Sequence, residues 1–170
     1  AKKRIGFVSD DHAVYEKMTG RQYVNFIADV FGAGDERNER IEKLKKQFSI
    51  EDAFDKYIGA YSHGMKQKIC LIASLVHEPE VWVLDEPLTG LDVVMMHQVK
   101  QAMADHAAKG HAVFFSSHNL DVVERICNKA AIIDHGRFLG VIDTAKFRRS
   151  GIGTLEEYFF RLTGEENETF

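Results

Sequence analysis

A short apolar run that ends in two acids constrains this chain more than any other feature. Val81 to Leu84 reads VWVL, lies between Pro79 and Pro87, and is followed directly by Asp85 and Glu86. Such a run predicts a strand that is buried on both faces. Ligands of open parallel sheets bind just beyond the carboxyl ends of the strands. The two acids would therefore stand where chemistry takes place.

The paired acids suit a divalent cation. Adjacent carboxylates repel each other, and both are costly to bury without a partner. Mg²⁺ prefers hard oxygen ligands, so it would relieve that cost. The second acid would then be free to orient or deprotonate a water molecule. The alternative is a strand that simply ends at a charged turn.

Four short stretches in a fixed order give the acids a context: YSHGM at Tyr61–Met65, VWVLDE at Val81–Glu86, LTGLD at Leu88–Asp92, and AVFFSSH at Ala112–His118. Here the chain resembles the ATP-binding cassette (ABC) transporter ATPases. The stretches are similar, in that order, to the signature motif, Walker B, the D-loop and the switch-histidine loop. Each motif alone is weak, but the four in this order are specific.

The resemblance implies an α/β fold. The expected architecture is a P-loop NTPase (RecA-like) parallel-sheet core, truncated at its N-terminus, with an inserted all-helical subdomain. The expected segments are a Q-loop strand (1–15), the helical subdomain with the signature motif (16–77), the core with Walker B, D-loop and switch histidine (78–150), and a C-terminal helix and tail (151–170).

The resemblance also implies roles for five residues. Asp85 would hold Mg²⁺ through water, and Glu86 would act as the general base on the attacking water. His118 would contact the γ-phosphate. Ser62 and Gly64 would cap that phosphate from the other member of a head-to-tail dimer, in which ATP is sandwiched between two copies.

Four further residues are assigned by their places in these motifs. His63 and Met65 belong to the nucleotide-binding signature stretch, where His63 replaces a glycine usual in the family. Asp92 would couple the two sites. Asp10 stands where the family has a glutamine that contacts the metal and the water. An ionised acid there can bind Mg²⁺ through water but cannot donate a hydrogen bond.

Structural explanations exist for three of these residues. Ser62 precedes a predicted helix and could serve as its N-cap alone. Asp10 could be a polar strand end. A lone histidine such as His118 is usually structural, although its place beyond a strand end favours a role at a phosphate.

The remaining pattern predicts six helices, a strand and a hairpin. Thr19 and Gln22 fit a capping box, before an apolar face of Tyr23, Phe26, Ile27 and Val30. We expect Asp35 to cap a second helix, whose inner residues are Ile41, Leu44 and Phe48, and Ser62 to cap a third. Asp92 is expected to cap a helix with Val93, Met96, Val99 and Met103 inside, before a buried strand at His111–Phe115. The last expected elements are a helix opened by Asn119, a hairpin turn at Asp134–Arg137 and a capped amphipathic helix at Thr154–Gly164.

Composition excludes several classes of protein. The chain of 170 residues is 45% hydrophobic, which suits one packed domain. Its net charge of −4 and the mixed signs of the tract 35–46 oppose a nucleic-acid surface. No apolar run approaches the ~20 residues that span a bilayer. Cys70 and Cys127 lack metal-ligand spacing and are expected to be reduced, cytosolic thiols.

An ATPase of this type needs a phosphate cradle, G-x-x-x-x-G-K-[ST], which none of the 170 residues supplies. We therefore expect the cradle upstream of Ala1 and interpret the chain as the C-terminal part of a nucleotide-binding domain. The complete protein would use ATP and Mg²⁺. It would work with a second copy and a transmembrane permease of an exporter-like system, in the cytoplasm at the inner face of the cell membrane. The chain alone would bind ATP weakly and self-associate.

Two other functions stay open at this point. A soluble ABC ATPase could act on ribosomes or nucleic acid, but such relatives insert long coiled coils, and the segment between Asp10 and Ser62 shows no sustained heptads. A non-catalytic interaction module is the other alternative, and the presence of Asp85, Glu86 and His118 weighs against it.

Overall fold

The structure is a computed structural model that describes residues 2–164. The part of the predicted tail segment at 165–170 lies outside the described residues. The chain divides into two compact units, with the break between Ser116 and Ser117. Within the described range, every helix is too short or too polar to cross a membrane.

The first unit combines strands and helices. Its elements are β1 (Ile5–Val8), α1 (Gly20–Phe31), α2 (Arg37–Gln47), α3 (His63–Leu75), β2 (Val81–Leu84), α4 (Val93–Ala108) and β3 (Ala112–Phe115). Single 3-10 turns stand at Lys2–Arg4, Glu51–Ala53 and Ile58–Ala60. The strand expected within residues 1–15 is Ile5–Val8, and a 3-10 turn precedes it.

The three strands form one parallel sheet in the order β1-β2-β3. Val8 pairs with Leu84, and Leu84 pairs with Phe115. All three strands thus finish level at one edge of the sheet. Whatever follows each strand emerges side by side there, which is the arrangement that a ligand site beyond the strand ends needs.

One face of this sheet is buried and the other is not. Trp82 and Leu84 lie in the core with side chains of α3 and α4. On the opposite face Phe7 is 61% exposed and Phe114, level with it across β2, is 62% exposed. The prediction that Val81–Leu84 is buried on both faces was therefore wrong, and so was the prediction of a buried strand at His111–Phe115. Helix α3 packs against β1 and α4 packs against β3.

Close contact between β1 and α3 needs a residue without a side chain. A Cβ atom at Gly6 would lie 2.3 Å from the backbone oxygen of Ser74. The Ser74 hydroxyl also accepts a hydrogen bond of 2.9 Å from Trp82 Nε1 and donates one of 2.8 Å to the Leu71 carbonyl. The sheet therefore contacts α3 at Ser74, which Gly6 of β1 and Trp82 of β2 both approach.

Helix α1 begins where the sequence predicts and turns a different face inward. Thr19 and Gln22 form the predicted capping box, and the helix ends at Gly32 in the left-handed conformation. The buried residues of its inner face are Gly20, Tyr23, Val24 and Ala28. Phe26 and Val30, predicted to face inward, are exposed. Gly20 belongs to the inner face because it approaches Tyr61 and Phe54 too closely for a side chain.

Helix α2 has the predicted core stripe and a different start. Ile41, Leu44 and Phe48 are buried. The prediction that Asp35 caps the helix was wrong, since Glu36 holds the N-cap position and makes no side-chain capping bond. The Arg37 amide donates instead to the Gly34 carbonyl, which closes a backbone turn around Asp35.

Helix α4 is capped as predicted by Asp92, whose carboxylate accepts a hydrogen bond of 2.7 Å from the Met95 amide. Its buried residues are Met95, Val99, Ala102, Met103 and His106. Val93, predicted to be inside, is 84% exposed, and Met96 is half-buried. The stripe begins two residues later than the apolar sequence suggests.

The second unit has its own small core of Ala130, Phe147 and Leu155. Its elements are α5 (Leu120–Ile126), β4 (Lys129–Asp134), β5 (Arg137–Asp143), α6 (Thr144–Ser150) and α7 (Leu155–Thr163). The predicted hairpin is present between the antiparallel strands β4 and β5. Asn119 caps α5 and Thr154 caps α7, as predicted, whereas α6 was missed.

His106 is an ionisable residue buried in the core of the first unit. His106 on α4 is 6% exposed, and its ring lies 5.7 Å from that of Trp82 and 4.8 Å from that of His111. Burial first of all, together with the charges of His111 and Lys109, lowers the pKa of His106 to about 4, against a smaller raising effect of Glu78. The folded state therefore keeps His106 neutral at pH values where the unfolded chain protonates it.

We expect acid to destabilise the chain through His106. Between the ordinary value of 6.5 and about 4, the unfolded state binds the proton and the folded state does not. Stability is thus full above pH 6.5 and falls as the pH drops, by at most about 1.4 kcal/mol per pH unit for one group. His106→Gln should weaken this dependence in urea unfolding at pH 7.5 and 5, whereas the exposed His97→Gln should not. Equal pH slopes in His106→Gln and the unmodified chain would contradict the assignment.

Candidate functional site

The two acids leave β2 at the level edge of the sheet, and neighbouring strands hold the first of them. The Asp85 amide donates a hydrogen bond of 2.9 Å to the Val8 carbonyl at the end of β1. On the other side, the Ser116 hydroxyl donates one of 2.5 Å to Asp85 Oδ1. Asp85 itself is exposed. The flanking strands thus position a carboxylate that solvent can reach.

Ser116 connects both acids and was missed by the sequence analysis. Its amide donates to the Leu84 carbonyl at 3.0 Å, and its Oγ accepts a hydrogen bond of 2.9 Å from the Glu86 amide. One hydroxyl therefore contacts the side chain of Asp85 and the backbone of Glu86. The signal was available in the pattern, because Ser116 is the first residue after β3 and β3 neighbours β2.

Glu86 has an unusual backbone conformation. Its φ is +43°, in the left-handed region that residues with a side chain rarely adopt. Two hydrogen bonds close a turn behind it: the Thr89 amide donates to the Glu86 carbonyl at 3.2 Å, and the Thr89 hydroxyl donates to Glu86 Oε2 at 3.0 Å. A strained residue at the end of a strand is typical of functional sites.

The turn after β1 carries a second pair of acids. Asp10 and Asp11 are exposed. The Ser9 hydroxyl donates to Asp11 and holds the pKa of that carboxyl below its usual value. Asp10 follows β1 at the same edge at which Asp85 follows β2.

The start of α3 contacts that turn through two histidines. Ser62 caps the helix by accepting a hydrogen bond of 3.4 Å from the Met65 amide. The rings of His63 and His12 meet edge to face, with 5.1 Å between their centres. Burial lowers the pKa of His12, and the nearby His63 lowers it further. The structure thus brings the predicted residues Asp10 and His63 into one region through His12, which the sequence analysis did not select.

Two other predicted residues have simple surroundings. A side chain at Gly64 would meet no atom within 4 Å, so the helix start has open space beside it. Met65 packs against the core and is half-buried. The N-terminus of a helix of this length attracts anions through its free N–H groups and dipole.

His118 belongs to the second unit. It lies in the segment that leads from Ser117 into α5, where the Ser117 hydroxyl accepts a hydrogen bond of 3.1 Å from the Asn119 amide. Contact of His118 with the γ-phosphate stays a prediction that rests on its sequence motif.

The donor set of the first unit fits Mg²⁺ better than a metal held by protein side chains alone. Among the described residues there is no group of three or more His, Cys, Asp or Glu side chains that could hold a metal ion. Mg²⁺ keeps several waters and commonly uses one or two carboxylates with phosphate oxygens. An exposed carboxylate fixed by the Ser116 hydroxyl, such as Asp85, meets that requirement.

Comparison with known proteins gives a consistent result. The protein-family model described as "ABC transporter" matches residues 1–89. The ABC transporter ATP-binding protein NatA of Bacillus subtilis is 29% identical and aligns with 81% of this chain and 57% of its own length. The daunorubicin resistance ATP-binding protein DrrA2 of Streptomyces coeruleorubidus is 34% identical over 80% of this chain and 42% of its own length.

A solved structure agrees as well. The ATP-binding subunit of an ABC transporter superposes with a TM-score of 0.89 at 26% identity, covering 95% of this chain and 69% of that one. The parallel sheet with its level strand ends is thus that of an α/β P-loop NTPase core, as predicted. The chain belongs to the ABC transporter ATP-binding family. It spans about half the length of the curated relatives it matches.

We expect Ser116→Ala to loosen the backbone at Glu86. Loss of the acceptor for the Glu86 amide, at about 1 kcal/mol for a typical hydrogen bond, should speed hydrogen exchange of that amide roughly fivefold. Ser117→Ala is the matched control, since Ser117 accepts from Asn119. Unchanged exchange at Glu86 in a folded Ser116→Ala protein would argue against the bridging role.

Proposed function

We propose that the whole protein is the ATP-hydrolysing subunit of an ABC transporter, and that this chain supplies its Walker B, signature, D-loop and switch-histidine parts. The observation that carries the proposal is the pair Asp85 and Glu86 at the level carboxyl edge of a parallel sheet, tied to both neighbouring strands. Membership of the family and the motif order support it.

Glu86 is proposed as the general base. Its carboxylate would accept a proton from the attacking water. The hydrogen-bonded backbone of Glu86 fixes the position of the Cα atom from which this side chain extends. The Thr89 hydroxyl, which now donates to Glu86 Oε2, holds the side chain in one orientation. Positioning of this kind supplies most of the catalysis in phosphoryl transfer.

Asp85 is proposed to hold Mg²⁺ through water, with Asp10 as a second carboxylate from the neighbouring strand end. Bound Mg²⁺ neutralises charge that develops on phosphate oxygens. The Ser116 hydroxyl keeps one Asp85 oxygen engaged and so favours a single orientation of the carboxylate.

The start of α3 is proposed to contact the γ-phosphate of ATP bound to a second copy. Ser62, His63, Gly64 and Met65 form the first turn and its cap. Free N–H groups and the positive end of the helix dipole favour an anion there. His118 is proposed to contact the same phosphate from the switch loop, and Asp92, which caps α4, to couple the two sites.

The proposed partners are a transmembrane permease and a second nucleotide-binding domain, at the inner face of the cell membrane. The helical segment 16–77 is proposed to rest on the permease. The name of DrrA2 refers to daunorubicin resistance, which supports an exporter for the present protein. The net charge of −4 of the present chain opposes a nucleic-acid partner.

Glu86→Gln tests the general base. In the full-length protein the amide should keep ATP binding, because its shape is unchanged, and slow hydrolysis at least ~100-fold. It should also stabilise an ATP-bound dimer. Steady-state hydrolysis and nucleotide binding are measured for this variant and for the exposed control Glu156→Gln. Near-normal turnover in Glu86→Gln would remove Glu86 from the role.

The chain by itself is proposed to bind ATP weakly and to self-associate. The uncovered sheet face with Phe7 and Phe114 supports association, since exposed apolar patches recruit other chains. Light scattering at micromolar concentration should show species larger than the monomer, and calorimetry should show no micromolar affinity for Mg-ATP. A clean monomer with a cooperative melt would contradict association.

A further inference from the structure

A buried glutamine reaches from α3 to the loop that carries Glu86. Gln67 is 1% exposed, and its Nε2 donates a hydrogen bond of 3.0 Å to the Pro87 carbonyl. Gln67 Oε1, also buried, accepts no hydrogen bond from any described residue. A glutamine with one satisfied end inside a core costs stability relative to an apolar side chain. Its presence calls for a reason other than packing.

The bonded atom identifies that reason. The Gln67 side chain donates to the carbonyl of Pro87, the residue directly after Glu86. The backbone of Glu86 has a φ of +43°. A strained conformation persists where the surrounding structure holds it on several sides. Ser116 holds the amide of Glu86, Thr89 holds its carbonyl, and Gln67 holds the next carbonyl along the chain.

The orientation of the Gln67 amide is determined by its partner. The Pro87 carbonyl can accept but not donate, so the NH₂ group of Gln67 must face it. Gln67 also lies close in sequence to Ser62 and His63, at the start of the same helix. A displacement of the α3 start therefore acts on the Pro87 carbonyl through one rigid helix and one hydrogen bond.

We propose that Gln67 is a positioning residue for Glu86, which it holds through the Pro87 carbonyl, and that it links the start of α3 to the Glu86 loop within one chain. The proposal rests on the proposed ATPase function and deepens it. Binding of a phosphate at the start of α3 would be felt at Glu86 through Gln67, with no contact between Gln67 and the nucleotide.

The test compares Gln67→Met with Ser74→Ala in the full-length protein. Methionine keeps the size of the side chain and removes the donor. Ser74 is a buried hydroxyl on the same helix that bonds Trp82 instead of the loop. Gln67→Met should raise amide hydrogen exchange across residues 86–92 about tenfold and lower kcat about tenfold with little change in KM for ATP. Ser74→Ala should alter neither the loop nor kcat.

A second variant keeps the test decisive if Gln67→Met does not fold. Gln67→Glu retains the length, but its carboxylate repels the Pro87 carbonyl, whereas its protonated form can donate to it. At each pH, the amide hydrogen exchange of the loop in Gln67→Glu is compared with that of the wild type. The ratio of the two rates should fall towards one as the pH falls. A packing role gives no such rescue.

The outcomes separate the two proposals. If the wild-type protein hydrolyses no ATP, the proposed function fails, and loop exchange still decides the role of Gln67. Unchanged exchange in folded Gln67→Met, or excess exchange in Gln67→Glu that does not change with pH, overturns the positioning role. Equal losses of kcat in Gln67→Met and Ser74→Ala overturn it too, since both would then reflect general stability.

Discussion

The level register of three parallel strands is the constraint on which the site depends. Because Val8, Leu84 and Phe115 pair across the sheet, the backbone after each strand emerges beside its neighbours. Asp85 then takes a hydrogen bond from the Ser116 side chain and gives one to the end of β1. A slip of one residue between β2 and β3 would turn every side chain of β3 to the other face and separate Ser116 from the acids. The geometry of the candidate site is here a consequence of strand pairing.

Local signals in the sequence gave reliable boundaries. The caps at Thr19, Ser62, Asp92, Asn119 and Thr154 all hold in the structure. A cap depends on one side chain and the next few backbone amides, so short sequence windows contain what is needed. Asp35 is the exception, and the reason is also local: a backbone turn from Gly34 takes the amide that starts the helix.

The inward faces were harder to predict because tertiary contacts decide them. Phe26, Val30 and Val93 are apolar and exposed, while Gly20 and Ala28 are buried. A helix that packs closely against other backbone buries its small residues, which hydrophobicity alone does not reveal. Whether a strand is covered on one face or two likewise depends on which elements reach it. The motifs located Asp85 and Glu86, but the hydrogen bonds of Ser116 and Gln67 to this segment join residues distant in sequence.

The uncovered face of the sheet affects how stability responds to temperature. Phe7 and Phe114 are already in contact with water when the chain is folded. The heat capacity change of unfolding comes mainly from apolar surface that becomes hydrated during the transition. Surface that is hydrated beforehand contributes nothing to it. The stability curve of this chain is therefore flatter, and changes less on cooling, than that of a chain of equal length with both sheet faces covered.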